Sequence, residues 1–337
     1  MHPDYQFIRM FIRAASKIQS GRMLDCALRL RTYQIKKIVR KEKCGAIIVC
    51  TGDLFDPPAA LIAAKELGIP VILYTFDDYA FQGANPLLQS FAHSHERDLV
   101  RDAAAIIVPN ECMHKEYRDR YGIDAATIHN PFDINEYERL ARATCAKAPA
   151  TPGKSIVYTG AIYDVHYDAF RNLIAAISLQ ETTPAGIHLY TPQSPHHLIG
   201  NNITGPHVVV HKALPVTEMP AIQHNADILF LPLSFNPRFR EIVRTSAPGK
   251  IGEYLASKKP ILVHAPEDSF LSWYFKKYQC GLVVDEDNPG LLAEAIRRLL
   301  TDEKLCQEIT RNAYERAKTD FDATAAREKL SRLIERI

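Results

Sequence analysis

Between residues 244 and 256 the chain reads Arg-Thr-Ser-Ala-Pro-Gly-Lys-Ile-Gly-Glu-Tyr-Leu-Ala. Arg244, Thr245 and Ser246 lead into Pro248-Gly249, and a helix is predicted over about 249–257. The first turn of a helix has unpaired N–H groups and a partial positive charge, so it favours an anion. Lys250 adds a full charge beside it, and Glu253, three residues on, shares its helix face. An ammonium for phosphate oxygens beside a carboxylate that can accept from two ribose hydroxyls suits a nucleoside diphosphate. The same spacing is also that of a surface ion pair on a capped helix, and spacing alone leaves both readings open.

A second candidate is acidic. The apolar run 71–76 ends in Phe76-Asp77-Asp78-Tyr79. Two carboxylates at the end of a strand could orient a hydroxyl or take its proton, or could cap the turn that follows. Other chemistries are disfavoured. The seven cysteines are scattered without a C-x-x-C pair, as in a reducing cytoplasm. His93 and His95 would point to different sides of a helix, and His196-His197 has no acidic or cysteine companion, so no metal site is expected. G-x-G-x-x-G is absent, which counts against NAD or FAD.

The elements that must position these residues alternate. After helices predicted over 5–19 and 24–41, apolar runs at 46–50, 71–76, 105–108 and 126–129 read as strands separated by helices. Residues 144–154 are small, Pro-bearing and unpatterned, and read as a linker. A second series follows, with strands at 155–159, 187–190, 207–211, 227–231, 260–263 and 281–284, then helices at 302–318 and 323–336. Alternation of this kind predicts an α/β protein with parallel sheets covered on both faces. At 337 residues it predicts two Rossmann-like domains: 1–146, 147–320, and a terminal helix at 321–337 packing back on the first. Ligands of such sheets sit beyond the carboxyl ends of the strands.

The stretch from Ser246 to Ile261 resembles the S-x-P-x-K-x-x-E-Y-L-A-x-x-x-P-I segment of retaining GT-B glycosyltransferases of family 4. Val157-Tyr-Thr-Gly160-Ala, Asn225-Ala-Asp-Ile-Leu-Phe-Leu-Pro232 and Cys280-Gly-Leu-Val-Val284 are similar to further segments of that family in the same order. So are Asp102–Glu111 and His129-Asn-Pro-Phe-Asp133, and the likeness spans roughly 45–320. It implies that Glu253 holds a ribose and Lys250 contacts a diphosphate. Gly160 would let the backbone approach the phosphates, and Lys212-Ala213-Leu214 would hold a nucleobase edge through backbone groups. Lys250 would then matter more to departure of the diphosphate than any base, and no metal or cofactor is needed beyond the nucleotide-sugar co-substrate.

Three departures stand out. The family's first motif glutamate falls at Thr245, and the basic residue expected after Gly160 is missing, leaving Arg240 or, preferably, Arg244 to supply a second cation. The family opens with a strand and a Gly-rich loop, whereas the first clear strand here is 46–50. The first domain is therefore expected to be short, continued upstream, or completed by a partner chain, since open sheet edges are avoided.

Net charge is +2, but residues 1–43 carry +8 and the remainder −6. This basic start suggests contact with an anionic membrane surface through 5–43, either of the two segments serving otherwise as a solvated face. Nucleic acid is disfavoured, because exposed aromatics do not interleave the basic residues. Together these readings point to a cytoplasmic enzyme, peripheral at the inner membrane face. It would transfer a sugar from a nucleoside diphosphate to a glycan or lipid-linked hydroxyl in envelope polysaccharide or glycolipid assembly. A non-catalytic GT-B subunit supporting a partner and a sugar-nucleotide epimerase are the alternatives.

Overall fold

The computed structural model describes residues 20–82, 85–143, 153–180, 185–212 and 214–337. The predicted helix 5–19, most of the predicted linker and Ala213 lie outside the described residues. The chain divides into two compact units, Met1–Ile128 with Lys329–Ile337, and His129–Glu328. That division precedes the segment read as a linker. The reason is a helix not predicted from the sequence, Ile134–Ala143, whose Tyr137 is buried in the second unit.

The first unit runs α1 (Gly21–Glu42), β1 (Ile47–Cys50), α2 (Asp56–Leu67), β2 (Val71–Tyr74), a 3-10 turn (Tyr79–Phe81), α3 (Pro86–Asp102), β3 (Ala105–Val108), α4 (Glu111–Tyr121) and β4 (Ala126–Thr127). Its four strands form a parallel sheet in the order β1-β2-β3-β4. Local chemistry sets the helix ends. Pro57 and Pro58 open α2 where no N–H partner is needed, and Gly68 closes it at φ 66°. The side chains of Asn85 and Asn110 accept from the N–H groups of Leu88 and Met113 to start α3 and α4. Val71, Leu73, Ile106 and Val108 pack with Met113 and Tyr117 as the core. A second cluster joins Leu24 and Leu28 of α1 to Phe55, Ala59 and Phe91.

The second unit begins with α5 (Ile134–Ala143) and continues β5 (Ser155–Thr159), α6 (Tyr167–Ser178), β6 (Gly186–Tyr190), α7 (Pro195–Gly200), β7 (Val208–His211), α8 (Met219–Asn225) and β8 (Ile228–Pro232). Then follow α9 (Arg240–Thr245), α10 (Ile251–Ala256), β9 (Ile261–His264), α11 (Phe270–Tyr278), β10 (Leu282–Val284), α12 (Pro289–Thr301), α13 (Glu303–Arg316), a π-helical turn (Ala317–Phe321) and α14 (Ala323–Ile334), whose residues from Lys329 on belong to the first unit. The parallel sheet has the order β10-β9-β8-β5-β6-β7. The chain starts in the middle, winds one way through β6 and β7, then returns to wind the other way. The switch lies between β5 and β8, the place where such sheets open a crevice for ligands. Asp302 caps α13 by accepting from Leu305 N, and Asp322 accepts from Thr324 N at the start of α14. The helices α5, α7 and α9 were not predicted: α7 and α9, at six residues each, are too short to show a periodic face, whereas α5 does have one, with Ile134 and Tyr137 buried on it, and was missed.

Candidate active site

Gly160 follows β5 directly at the switch point, and its N–H donates to the Tyr190 carbonyl at 2.8 Å. Its φ of 122° belongs to glycine. A Cβ there would lie 3.2 Å from Lys250 Nζ and 3.3 Å from Lys250 Cε, so the bare backbone is what admits the lysine. Lys250 as a residue is half-buried, but its ammonium is enclosed. Nζ sits 4.0 Å from the centre of the Tyr158 ring and donates to Tyr158 Oη at 2.7 Å. Tyr158 Oη donates in turn to the Ala161 carbonyl at 2.7 Å, which pins the loop after Gly160. Burial lowers the Lys250 pKa to about 7, with the Glu253 carboxylate pulling it partly back.

After Gly160, where the expected basic residue is missing, His166 lies near Tyr158 and within reach of the Lys250 charge. It is buried, its pKa is lowered to about 3 by burial first and the Lys250 charge second, and it accepts from Tyr163 N. It adds no charge. Of the candidate second cations, Arg244 pairs with Glu241 at 3.2 Å and Arg240 with Asp268 at 3.0 Å. Thr245 is buried, at 2% exposure, at the end of α9. Ser246 is half-buried on the turn into Pro248-Gly249. That turn is fastened by Asn130, whose amide donates to the Ala247 carbonyl at 2.9 Å, giving the Asn130-Pro-Phe-Asp segment a positioning task.

The helix after the turn differs from expectation. It is six residues long and Lys250 is its N-cap rather than a residue inside it. So short a helix contributes little dipole, and the positive character of the site rests on the Lys250 ammonium. Glu253 sits in the first turn of α10, half-buried, with Oε2 accepting from Gln223 Nε2 at 2.9 Å. Lys212 and Leu214 are exposed beyond β7, two strands from β5 on the same ends of the sheet.

The acidic pair lies in the first unit and its members differ. Asp78 is 4% exposed, and both its oxygens accept from Arg120, at 3.2 and 2.7 Å. Arg120 also reaches Glu96 and Glu116, and the Tyr121 hydroxyl donates to Glu96. Asp78 is thus committed to a buried ion pair. Asp77 is exposed, and its pKa is raised by the protein bulk around its carboxyl first and by Asp78 second.

Tyr158, Gln223 and Tyr137 were missed in the sequence. The first two stand in apolar runs or amphipathic helices that read as core, and only the side chain they reach toward marks them. Among the described residues, no three of His, Cys, Asp and Glu converge as a metal-binding group. No described helix is long and apolar enough to cross a membrane.

Residues 191–316 match the family described as Glycosyl transferases group 1, and residues 18–136 match Glycosyltransferase Family 4. The chain is a GT-B glycosyltransferase of group 1. No curated protein matches the glycosyltransferase by sequence. Its fold is similar to that of sucrose-phosphate synthase from Thermosynechococcus elongatus, with TM-score 0.68 and 17% identity over 92% of this chain and 78% of that one. It is similar to α,α-trehalose 6-phosphate synthase from Burkholderia multivorans, with TM-score 0.72 and 12% identity over 94% and 77% of the two chains. It is likewise similar to Anabaena HepE in complex with UDP, with TM-score 0.68 and 13% identity over 91% and 82%.

Proposed function

We propose that this glycosyltransferase takes its sugar from a nucleoside diphosphate donor and passes it to a hydroxyl of a glycan or lipid-linked acceptor in cell-envelope polysaccharide or glycolipid assembly. One observation carries the donor reading. An enclosed ammonium, Lys250, lies against a side-chain-free Gly160 at the switch point of a parallel sheet, with a carboxylate, Glu253, three residues on. Support comes also from HepE, which was solved with UDP and with UDP-glucose.

In this reading the diphosphate lies over Gly160, where no Cβ intervenes, and Lys250 stabilises the charge that builds on it as the sugar leaves. Because a protein ammonium holds that charge, we propose transfer without a metal or other cofactor. Glu253 accepts from the ribose hydroxyls. Arg244, Thr245 and Ser246 line the approach, and the backbone at Lys212 and Leu214 meets the nucleobase. Asp77 orients the acceptor hydroxyl, and Asp78, paired with Arg120, lies next to it in the chain.

We further read the protein as cytoplasmic and peripheral at the inner membrane face. On α1 the exposed residues Arg22, Arg29, Tyr33, Lys37 and Arg40 recur at helical spacing, with Leu30 39% and Ile38 55% exposed among them. Cations beside apolar groups on one helix suit an anionic lipid surface. A partner chain completing the first sheet would add at β1, an edge strand whose Ile48 is 44% exposed.

Calorimetric titration with UDP- and GDP-sugars tests the donor reading. Binding of one donor is expected, and Glu253→Ala should weaken it by about 1.5–3 kcal/mol, the worth of hydrogen bonds to a charged group. Absence of binding to every nucleotide would refute it.

A further inference from the structure

We propose that Gln223 is a positioning residue that holds the Glu253 carboxylate in its ribose-gripping orientation, through a buried relay that begins at Tyr137. The inference rests on the reading of Glu253 as the ribose ligand and adds what fixes that ligand in place.

Gln223 lies on α8 and is fully buried, at 0% exposure. Its amide is engaged on both sides. Oε1 accepts from the Tyr137 hydroxyl at 2.8 Å. The two N–H bonds of Nε2 go to Glu253 Oε2 at 2.9 Å and Thr159 Oγ1 at 3.1 Å. Thr159 Oγ1 donates to Tyr254 Oη at 3.3 Å, and the Thr159 N–H donates to the same oxygen at 2.9 Å. Tyr137 and Thr159 are each 4% exposed and Tyr254 is at 0%.

This arrangement has one orientation. Turning the amide over would set its carbonyl oxygen against the Glu253 carboxylate and its NH2 against the Tyr137 hydroxyl. The carboxylate would then lose a charge-assisted hydrogen bond, and the buried Gln223 amide would face an acceptor with an acceptor, which is costly. The Glu253 carboxylate, which can only accept, therefore fixes which way the amide faces, and the Tyr137 hydroxyl donates to the oxygen that this leaves on the other side. Gln223 occupies one oxygen of Glu253, and Oε1 makes no hydrogen bond among the described residues. A carboxylate tethered at one oxygen cannot rotate freely, so its other oxygen keeps a fixed place for a donor hydroxyl. The same amide also reaches Thr159, the residue before Gly160, so one side chain joins the ribose ligand to the end of β5. A buried side chain whose hydrogen bonds end on a ligand-binding carboxylate lowers the ordering cost of binding in advance.

The test compares dissociation constants of UDP with 2′,3′-dideoxy-UDP, and of GDP with 2′,3′-dideoxy-GDP, for the full chain and its variants. The wild type should prefer the ribonucleotide by about tenfold or more, the scale of hydrogen bonds to a charged group. Glu253→Gln should abolish most of that preference, and so should Gln223→Met, which removes the tether but keeps the volume. Tyr137→Phe, which removes the hydrogen bond that steadies the amide from its other side, should reduce it in part. Gln223→Glu adds a signature of its own: preference should return at low pH, where a protonated carboxyl can donate to Glu253, and vanish as the two carboxylates repel. A lowered Tm in Gln223→Met with an unchanged ribose-to-dideoxyribose ratio would mean a structural role only and overturn the proposal. If Gln223→Met does not fold, an unchanged ratio in Tyr137→Phe overturns it. If Glu253→Gln leaves the ratio unchanged, the ribose reading itself fails, which is a different result from Glu253→Gln losing the ratio while Gln223→Met keeps it.

Discussion

Lys250 shows how one residue can be placed against its own preference. An ammonium prefers water, yet here its end is enclosed between the Tyr158 ring and the Gly160 backbone, and burial brings its pKa down to about 7 from 10.5. A diphosphate beside it would favour the charged form. Donor binding should therefore take up a proton, and affinity for an intact nucleotide-sugar should fall as pH rises through about 7, by up to about tenfold per unit. Titration calorimetry from pH 6 to 9 would show it; an affinity flat across that range in the wild type would count against Lys250 as the diphosphate ligand. Stability should respond with its own sign. The folded value lies below the unfolded one, so the unfolded chain binds more protons between them, and this group makes stability rise with pH from about 7 toward 10.5. Lys250→Met should remove that rise in denaturant titrations while abolishing donor binding.

At the scale of elements, the site depends on how α10 is seated. A Cβ on Gly252 would lie 2.6 Å from Phe132 Cδ1 and 3.2 Å from Phe321 Cβ, so the helix packs directly on those residues. Phe132 is itself fixed by backbone bonds, donating to the Phe321 carbonyl at 3.0 Å and accepting from Ala323 N at 2.9 Å. With Asn130 holding Ala247, the segment 130–132 sets both the turn before α10 and the face behind it. In the first unit the corresponding fixture is electrostatic. Arg120 on α4 serves Asp78, Glu96 and Glu116, two of them almost wholly buried. Removing one partner of a buried set leaves uncompensated charge, so Arg120→Met should destabilise the protein by about 3–5 kcal/mol. Urea unfolding would measure this, and a loss under 1 kcal/mol would mean that water already reaches the cluster.

Across the whole molecule, the two sheets are not equivalent. The second contains a switch point between β5 and β8, and the proposed donor site stands there. The first runs β1-β2-β3-β4 without reversal among the described residues, so it offers no such crevice. Charge is divided as well, with +8 in residues 1–43 and −6 in the rest. If α1 rests on anionic lipid, the full chain should float with vesicles containing phosphatidylglycerol and not with phosphatidylcholine alone. Arg29→Glu, Lys37→Glu and Arg40→Glu together should abolish flotation, since each cation near such a surface contributes about 1 kcal/mol. Flotation indifferent to lipid charge would exclude this docking mode.

The two parallel sheets, their strands and the order of motifs were legible in the sequence, because buried strands and capped helices are written locally in apolar runs, prolines and asparagines. The pattern Lys250-x-x-Glu253 at the start of one helix, and Gly160 in the loop after a strand, were visible for the same reason. Tertiary structure alone decided the rest. It set Asp78 against Arg120, 42 positions along the chain, and made that carboxylate an ion-pair partner. It enclosed Lys250 on Tyr158, 92 positions away, and joined Tyr137 to Gln223, 86 positions away. A side chain's environment is the sum of what distant segments bring to it, and no local pattern records which segments those are.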